Sequence, residues 1–411
     1  MAGFWIDAGT FLLRWLHVVA AIAWIGESFY FVALDRGLKA PRHPLPGLAG
    51  ESWSVHGGGF YHKQKYLPAP AQLPDDLHWS KWKSYTTWLS GFALLAIVYF
   101  ASPAVWLVDP RVAALSPTLA VFAALALLLG AWCVYHVLCH LIGFRDRMLG
   151  GLVGALVLAL CLIATSLFAG RAAFLLVGAA LATIMSANVF FVIIPGQKRM
   201  VAALEKGETP NPLDGARGKQ RSVHNTYFTL PVVFAMLSTH YAAAWSHPHS
   251  GWILALFMAA AAAIRQFFVL WHSGRRAWWL PATGVALLAA TFAWLAPKAV
   301  EAPAPSAPNT IVVADDPAAT DITMPSVTGP ADDATVLAVL AERCGACHAA
   351  QPSLLGFPAK GMIFDSAEQI RTHAASIHQQ TVVLKIMPPG NMTRMTEAER
   401  ELVARWFDQQ H

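Results

Sequence analysis

Long apolar runs, separated by shorter polar stretches, dominate the chain up to about residue 296. Crossing a bilayer takes about 20 mostly apolar residues in helical form, and eight runs meet that length: Thr10 to Leu34, Thr87 to Val108, Thr118 to Ile142, Leu149 to Phe168, Arg171 to Ile194, Thr226 to Trp245, Trp252 to His272 and Trp278 to Leu295. The first lacks a basic leader and is too long for a secretory signal, so it reads as a retained span. Beyond Pro297 the pattern changes. Pro297 to Pro330 is rich in Ala, Pro, Asp and Thr with no helical or strand period, which predicts a stiff linker. After it, Val336, Leu337, Val339 and Leu340 mark one face of a helix over Asp332 to Arg343. Thr396 with Glu399 forms a capping-box start for a last helix whose apolar face is Leu402, Val403, Trp406 and Phe407. The pattern thus predicts an all-α chain: a polytopic eight-helix membrane domain over 1–296, a linker over 297–330, and a small helical domain over 331–411.

Composition supports the membrane reading, since 56% hydrophobic against 13% charged residues and 16 Trp are too apolar for a water-soluble chain of 411 residues. The net charge of +5 does not point to nucleic acid, because the basic residues gather in interhelical loops. With the N-terminus outside, the cytoplasmic loops hold 17 Lys and Arg and the opposite side holds 4. That positive-inside bias places both termini in the periplasm of a bacterial inner membrane. Of the five cysteines, Cys133, Cys139 and Cys161 lie in apolar runs and imply packing, with no disulfide framework.

Chemistry enters at Cys344-Gly-Ala-Cys347-His348, the C-x-x-C-H pattern of covalent c-type haem attachment. Two thiols three positions apart can add to the two haem vinyl groups, and the adjacent imidazole then ligates the iron. A zinc site would need a second Cys pair, which the chain lacks. Ile386-Met387-Pro388-Pro389-Gly390-Asn391 follows some forty residues later, and a thioether in a proline-braced loop is the usual second axial ligand. Met392 and Met395 are the rivals; Met387 is preferred because the Met-Pro-Pro order resembles small bacterial cytochromes. Residues 331–411 therefore look like a class I cytochrome c. That periplasmic placement agrees with the charge bias, since c-type haem is attached on that side.

Ionisable residues inside a bilayer are functional candidates. His17 and His240 fall toward the periplasmic layer, where they could serve as the two axial ligands of a b-type haem; haem b or another metal in the membrane domain is left open. Glu27, His136, His140 and His272 fall toward the cytoplasmic layer, with Arg265 between the middle and that end. His136 and His140 share a helix face at i, i+4, a spacing that suits a metal or a general base. Arg265, with Asn188 and Gln266 as polar companions, is the expected partner of Glu27, a pair that could be structural glue or half of an anion-binding pocket. The loop from Asp35 to Thr86 is long enough to be functional, and its aromatic and basic second half suits a membrane surface.

Trp15-Leu16-His17-Val-Val-Ala-Ala-Ile-Ala-Trp24-Ile25-Gly26-Glu27, His56-Gly-Gly-Gly-Phe60-Tyr61 and His78-Trp79-x-Lys81-Trp82-x-x-Tyr85 resemble the membrane-bound bacterial urate oxidase (urate hydroxylase) family across essentially the full chain. The His-x6-Trp-Ile-Gly run is also similar to that of other small membrane haem proteins, which supports His17 as a ligand. The family resemblance implies an eight-helix membrane domain with a C-terminal cytochrome c, acting in purine catabolism. It implies oxidation of urate to 5-hydroxyisourate with oxygen from water, without peroxide. Electrons would pass to the haem c and on to a respiratory-chain cytochrome or oxidase. Within that expectation Arg265 holds urate and His136 or His140 acts as the base. The competing expectation is a membrane-anchored cytochrome c that takes electrons from quinol or a separate dehydrogenase.

Overall fold

The computed structural model describes residues 2–296, 330–354, 358–359 and 362–410. The predicted linker, 297–330, lies outside these but for its last residue. The described chain forms two compact units, one built on Met1–Thr291 and the other on Phe292–Pro388 and Thr393–His411.

The first unit is mainly helical. Its helices are α1 (Ala2–Gly37), α2 (Trp82–Leu94), α3 (Pro103–Trp106), α4 (Pro117–Ile142), α5 (Asp146–Leu167), α6 (Gly170–Ala187), α7 (Ile194–Glu205), α8 (Pro212–Leu237), α9 (Ala242–Trp245), α10 (Ser250–Trp271) and α11 (Trp279–Leu295). Five are long and apolar enough to cross a membrane: Ala8–Gly37, Pro117–Ile142, Asp146–Leu167, Gly170–Glu205 and Ser250–Trp271; Trp279–Leu295 is shorter. Two predicted spans differ. The second is broken, because α2 runs into a π-helical turn at Leu95–Phe100 and restarts at Pro103 as α3. The sixth starts earlier than its apolar run, since α8 begins at Pro212, capped by Asn211, and carries several charged residues in its first half.

The all-α expectation also needs correction. Strands β1 (Leu48–His56) and β2 (Gly59–Tyr66) pair antiparallel within the long first loop. Gly57 and Gly58, both at positive φ, form the two-residue turn whose twist matches the flanking strands. Trp53 pairs across with His62, their rings stacked at 4.2 Å, and the His62 imidazole bonds Glu51 at 2.9 Å.

Small residues let the helices approach closely. A Cβ on Gly178 of α6 would come 2.7 Å from the Ala235 Cβ of α8, and one on Gly170 would come 2.1 Å from the Trp245 carbonyl oxygen. The most buried helix is α6, whose Phe174, Leu176, Val177 and Leu181 are wholly enclosed.

The second unit packs α12 (Asp333–His348), α13 (Ala367–Thr372), α14 (Ala374–His378) and α15 (Glu397–Asp408) around Val336, Leu340, Ile370, Leu402, Val403 and Trp406. The capping box forms as expected, with Thr396 accepting from the Glu399 backbone and Glu399 from that of Thr396. Buried Arg343 ties α12 to α15 by bonding the Glu399 carboxylate at 2.9–3.2 Å and the Thr393 carbonyl at 3.0 Å. Burial opposes charge on Glu399, but Arg343 and the Thr396 donors outweigh it and hold the carboxyl below its usual range. Arg371 and the Trp406 indole do the same for Asp333.

Both carboxyls bind fewer protons folded than unfolded. Their contribution is complete above ~4, the ordinary carboxylate value, and is lost as pH falls through their depressed values. Arg343→Ala should cost about 3–5 kcal/mol, the usual effect of leaving one buried partner uncompensated. Hydrogen exchange over α12 and α15 checks this: protection should drop in the variant at neutral pH and in the parent at acidic pH. Unchanged protection would mean that the pair contributes nothing.

Candidate functional site

Three groups of polar residues stand out. The first is built where α4, α6 and α8 meet. The buried stripe of α4 is Ala120, Ala124, Leu128, Ala131, Tyr135 and Cys139, a three-four spacing that turns Tyr135 and Cys139 inward. His136 and His140 are one position further on and so rotate off that stripe. His140 is exposed in the last turn. His136 leans on Trp132, ring centroids 4.2 Å apart, with Nδ1 buried and unpartnered.

Facing Tyr135, α8 presents Arg221, His224, Asn225 and Phe228 at i, i+3, i+4 and i+7, a single helical face. From α6 comes Asn188, 1% exposed, at the start of a π-helical turn, Asn188–Ile193. Such turns recur at functional sites because the extra residue re-aims side chains. Asn225 donates to the Met185 carbonyl at 3.0 Å and accepts from Asn188 at 2.9 Å. Asn188 also donates to the Tyr135 hydroxyl at 3.1 Å, and that hydroxyl bonds His224 Nδ1 at 2.8 Å. The Arg221 guanidinium, 5% exposed, lies 5.0 Å from the Tyr135 ring centroid, and one of its terminal nitrogens has no partner.

The second group joins α1, α8 and α10. Arg265, 4% exposed, rests 4.1 Å from the Phe29 ring centroid, and its Nε and one terminal nitrogen are buried without partners. Those two N–H groups form one edge of the guanidinium, the fork that meets a planar anion with two parallel bonds. Beside it Tyr227 donates to Gln266, and Ser28 bonds Thr226 at 3.2 Å. The expected Glu27–Arg265 pair does not form. Glu27 bonds Lys83 at 2.9 Å and Ser80 at 2.5 Å instead. Lys83, at the start of α2, reaches it first and leaves Arg265 open.

His17 bonds the Thr87 carbonyl at 3.0 Å and the Ser90 hydroxyl at 3.1 Å, against Gly91 of α2. His240 is exposed at the end of a 3-10 turn, Ser238–His240, and no hydrogen bond or ring contact links it to His17. Among the described residues no three His, Cys, Asp or Glu side chains are grouped to hold a metal ion.

The third group lies in the second unit. Cys344 and Cys347 sit at i, i+3 on α12, and His348 is its last residue. Burial pushes the Cys344 thiol up to about 12 and raises that of Cys347, so both are neutral thiols at pH 7. His348 Nδ1 bonds the Met362 carbonyl at 3.1 Å. A carbonyl only accepts, so Nδ1 carries the proton and Nε2 holds the lone pair, the tautomer a metal-ligating imidazole needs. The ring stacks on Phe364 at 4.6 Å. The Met387 carbonyl accepts from buried Arg400 at 2.9 Å and its N–H donates to Gln380 at 3.1 Å, which fixes that loop. Met395, at 2% exposure, is part of the apolar core.

With this geometry in place, comparison with known families is informative. The family model described as urate oxidase N-terminal matches residues 3–296. The chain belongs to the urate oxidase N-terminal family. Its urate oxidase-related unit is therefore the helical one that carries the two open guanidinium groups. No curated protein and no solved structure matches the chain. Sequence reasoning placed Arg265 and Asn188 among the candidates and missed Arg221, His224 and Tyr135. Arg221 and His224 precede the apolar run that begins at Thr226, which set them in a loop. The Arg-x-x-His-Asn spacing on one helical face was the available signal.

Proposed function

We propose that the chain is a membrane-embedded urate oxidase that forms no peroxide and sends its electrons out through a haem c on the C-terminal unit. The carrying observation is Arg265: a guanidinium buried in an apolar helical unit, with one whole fork edge unmet, in a family tied to urate. Urate is a planar monoanion at neutral pH, and the fork offers two charge-assisted bonds to it. Urate monoanion and water give 5-hydroxyisourate, one proton and two electrons. Of the two expected bases, His136 keeps a buried open nitrogen, and His140 sits exposed at the helix end; His136 is the better placed to take the proton.

The residues around Cys344, Cys347 and His348 fit covalent haem. Neutral thiols add across vinyl groups, each S–H hydrogen going to the neighbouring carbon, and His348 Nε2 is free of the proton that Nδ1 holds. Met387 would be the second ligand, its loop fixed by Arg400. A haem held by these residues would supply one-electron transfer between urate oxidation and a respiratory cytochrome or oxidase. The Lys and Arg bias sets both termini in the periplasm of a bacterial inner membrane, with eight spans if the broken second and the polar sixth both cross. His17 and His240 stay candidates for an additional haem b.

Turnover in 18O-labelled water decides between this chemistry and the peroxide-forming kind. The label should appear in the hydroxylated product with no peroxide released. Unlabelled product, or peroxide equal to urate consumed, would contradict the reading.

A further inference from the structure

The function proposed above uses Arg265 on α10 and His136 on α4 and leaves Arg221 unexplained. Its neighbours fix what this second buried cation can bind. Asn225 donates to the Met185 carbonyl, so its oxygen faces Asn188, whose amide nitrogen therefore donates both to that oxygen and to Tyr135. The Tyr135 oxygen accepts there, and its hydroxyl bonds His224 Nδ1 at 2.8 Å, a nitrogen that Cys139 Sγ also approaches at 4.0 Å; with the hydroxyl as donor, Nδ1 accepts. His224 is consequently neutral with its proton on Nε2. The buried donor left unmet is the Arg221 terminal N–H, and half-buried His224 stands one turn along α8 from it. No carboxylate bonds either of them among the described residues.

A donor without an acceptor calls for an oxyanion. The surroundings call for a flat one: Tyr135 meets Phe228 and His224 edge-on with centroids at 6.0 and 5.8 Å, and the guanidinium lies over the Tyr135 face. The segment leading to this point carries Lys198, Arg199, Lys206, Arg217 and Lys219 against Glu205, Glu208 and Asp214, the last taken up by Arg199, a net positive balance. Such a flank raises the local concentration of anions.

We propose that Arg221 and His224, oriented by Tyr135 and Asn188, form a second seat for a planar purine oxyanion, an uptake site on the basic side of the helical unit. This rests on the urate reading for its ligand. Phosphate and anionic lipid headgroups share the charge but not the flatness, and the test separates them.

Equilibrium dialysis of radiolabelled urate against the purified full chain in nanodiscs, kept reduced and anaerobic to prevent turnover, should give two equivalents per chain. Arg221→Gln and Arg265→Gln should each leave one. His224→Gln, which retains a partner for Tyr135, should weaken one of the two about tenfold and covers the case in which Arg221→Gln fails to fold. Two unchanged sites in both Arg221→Gln and His224→Gln would overturn the second seat. A single wild-type site lost in Arg265→Gln alone would also overturn it while leaving the proposed function intact. Displacement of one equivalent by inorganic phosphate, or its disappearance in nanodiscs of phosphatidylglycerol but not phosphatidylcholine, would assign the seat to phosphate and overturn the purine assignment. No binding at all would sink the urate reading and this seat with it.

Discussion

Replacing Cys344 and Cys347 by Ala should leave a full-length membrane protein with no covalently held haem and no steady urate oxidation. The two thiols stand on one face of α12, neutral and beside an imidazole whose Nδ1 is tied to the Met362 carbonyl. Without them nothing bonds the porphyrin to the chain, and electrons taken from urate have no exit. Haem staining after denaturing electrophoresis should be lost, and urate consumption should fall to background. The helical unit should still bind urate, because Arg265 belongs to Met1–Thr291. Sustained urate oxidation by the double variant would show that the C-terminal unit is not the electron exit.

The second large effect concerns Arg265. Losing two charge-assisted hydrogen bonds of about 1.5–3 kcal/mol each predicts that Arg265→Ala raises the Km for urate at least about 100-fold. Arg265→Lys keeps the charge but not the fork and should recover part of that loss. Stability should move the other way. An enclosed cation with unmet donors costs folding free energy, so its removal should leave the melting temperature unchanged or higher. A structural arginine would show the opposite pairing, with lower stability and unaltered kinetics.

How much of this was legible beforehand differs by region. The helices of the C-terminal unit are legible because their signals are local: the capping box of Thr396 and Glu399, and the apolar faces of α12 and α15. The apolar runs were also plain, but their ends were not. Helix α8 starts well before its apolar stretch, so Arg221 counted as a loop charge when tertiary packing buries it. The hairpin at Leu48–Tyr66 escapes a reading of the loop by its length and its aromatic and basic content, although a Gly pair between Trp, Val, Phe and Tyr is a turn signal. Polar pairings inside the bundle were the least legible. Glu27 and Arg265 were matched by charge alone, and only the fold shows that Lys83 reaches Glu27. The choice of His136 and His140 followed their spacing, which says that they share a face but not which face is turned inward.

The most direct test mixes urate anaerobically with the purified, oxidised chain and follows its absorbance in a stopped-flow instrument. The account predicts that urate alone reduces the haem c, with one urate consumed per two haems and no added dehydrogenase or quinol. A haem that stays oxidised with urate, yet is reduced at once by quinol, would contradict it and make the protein an electron carrier.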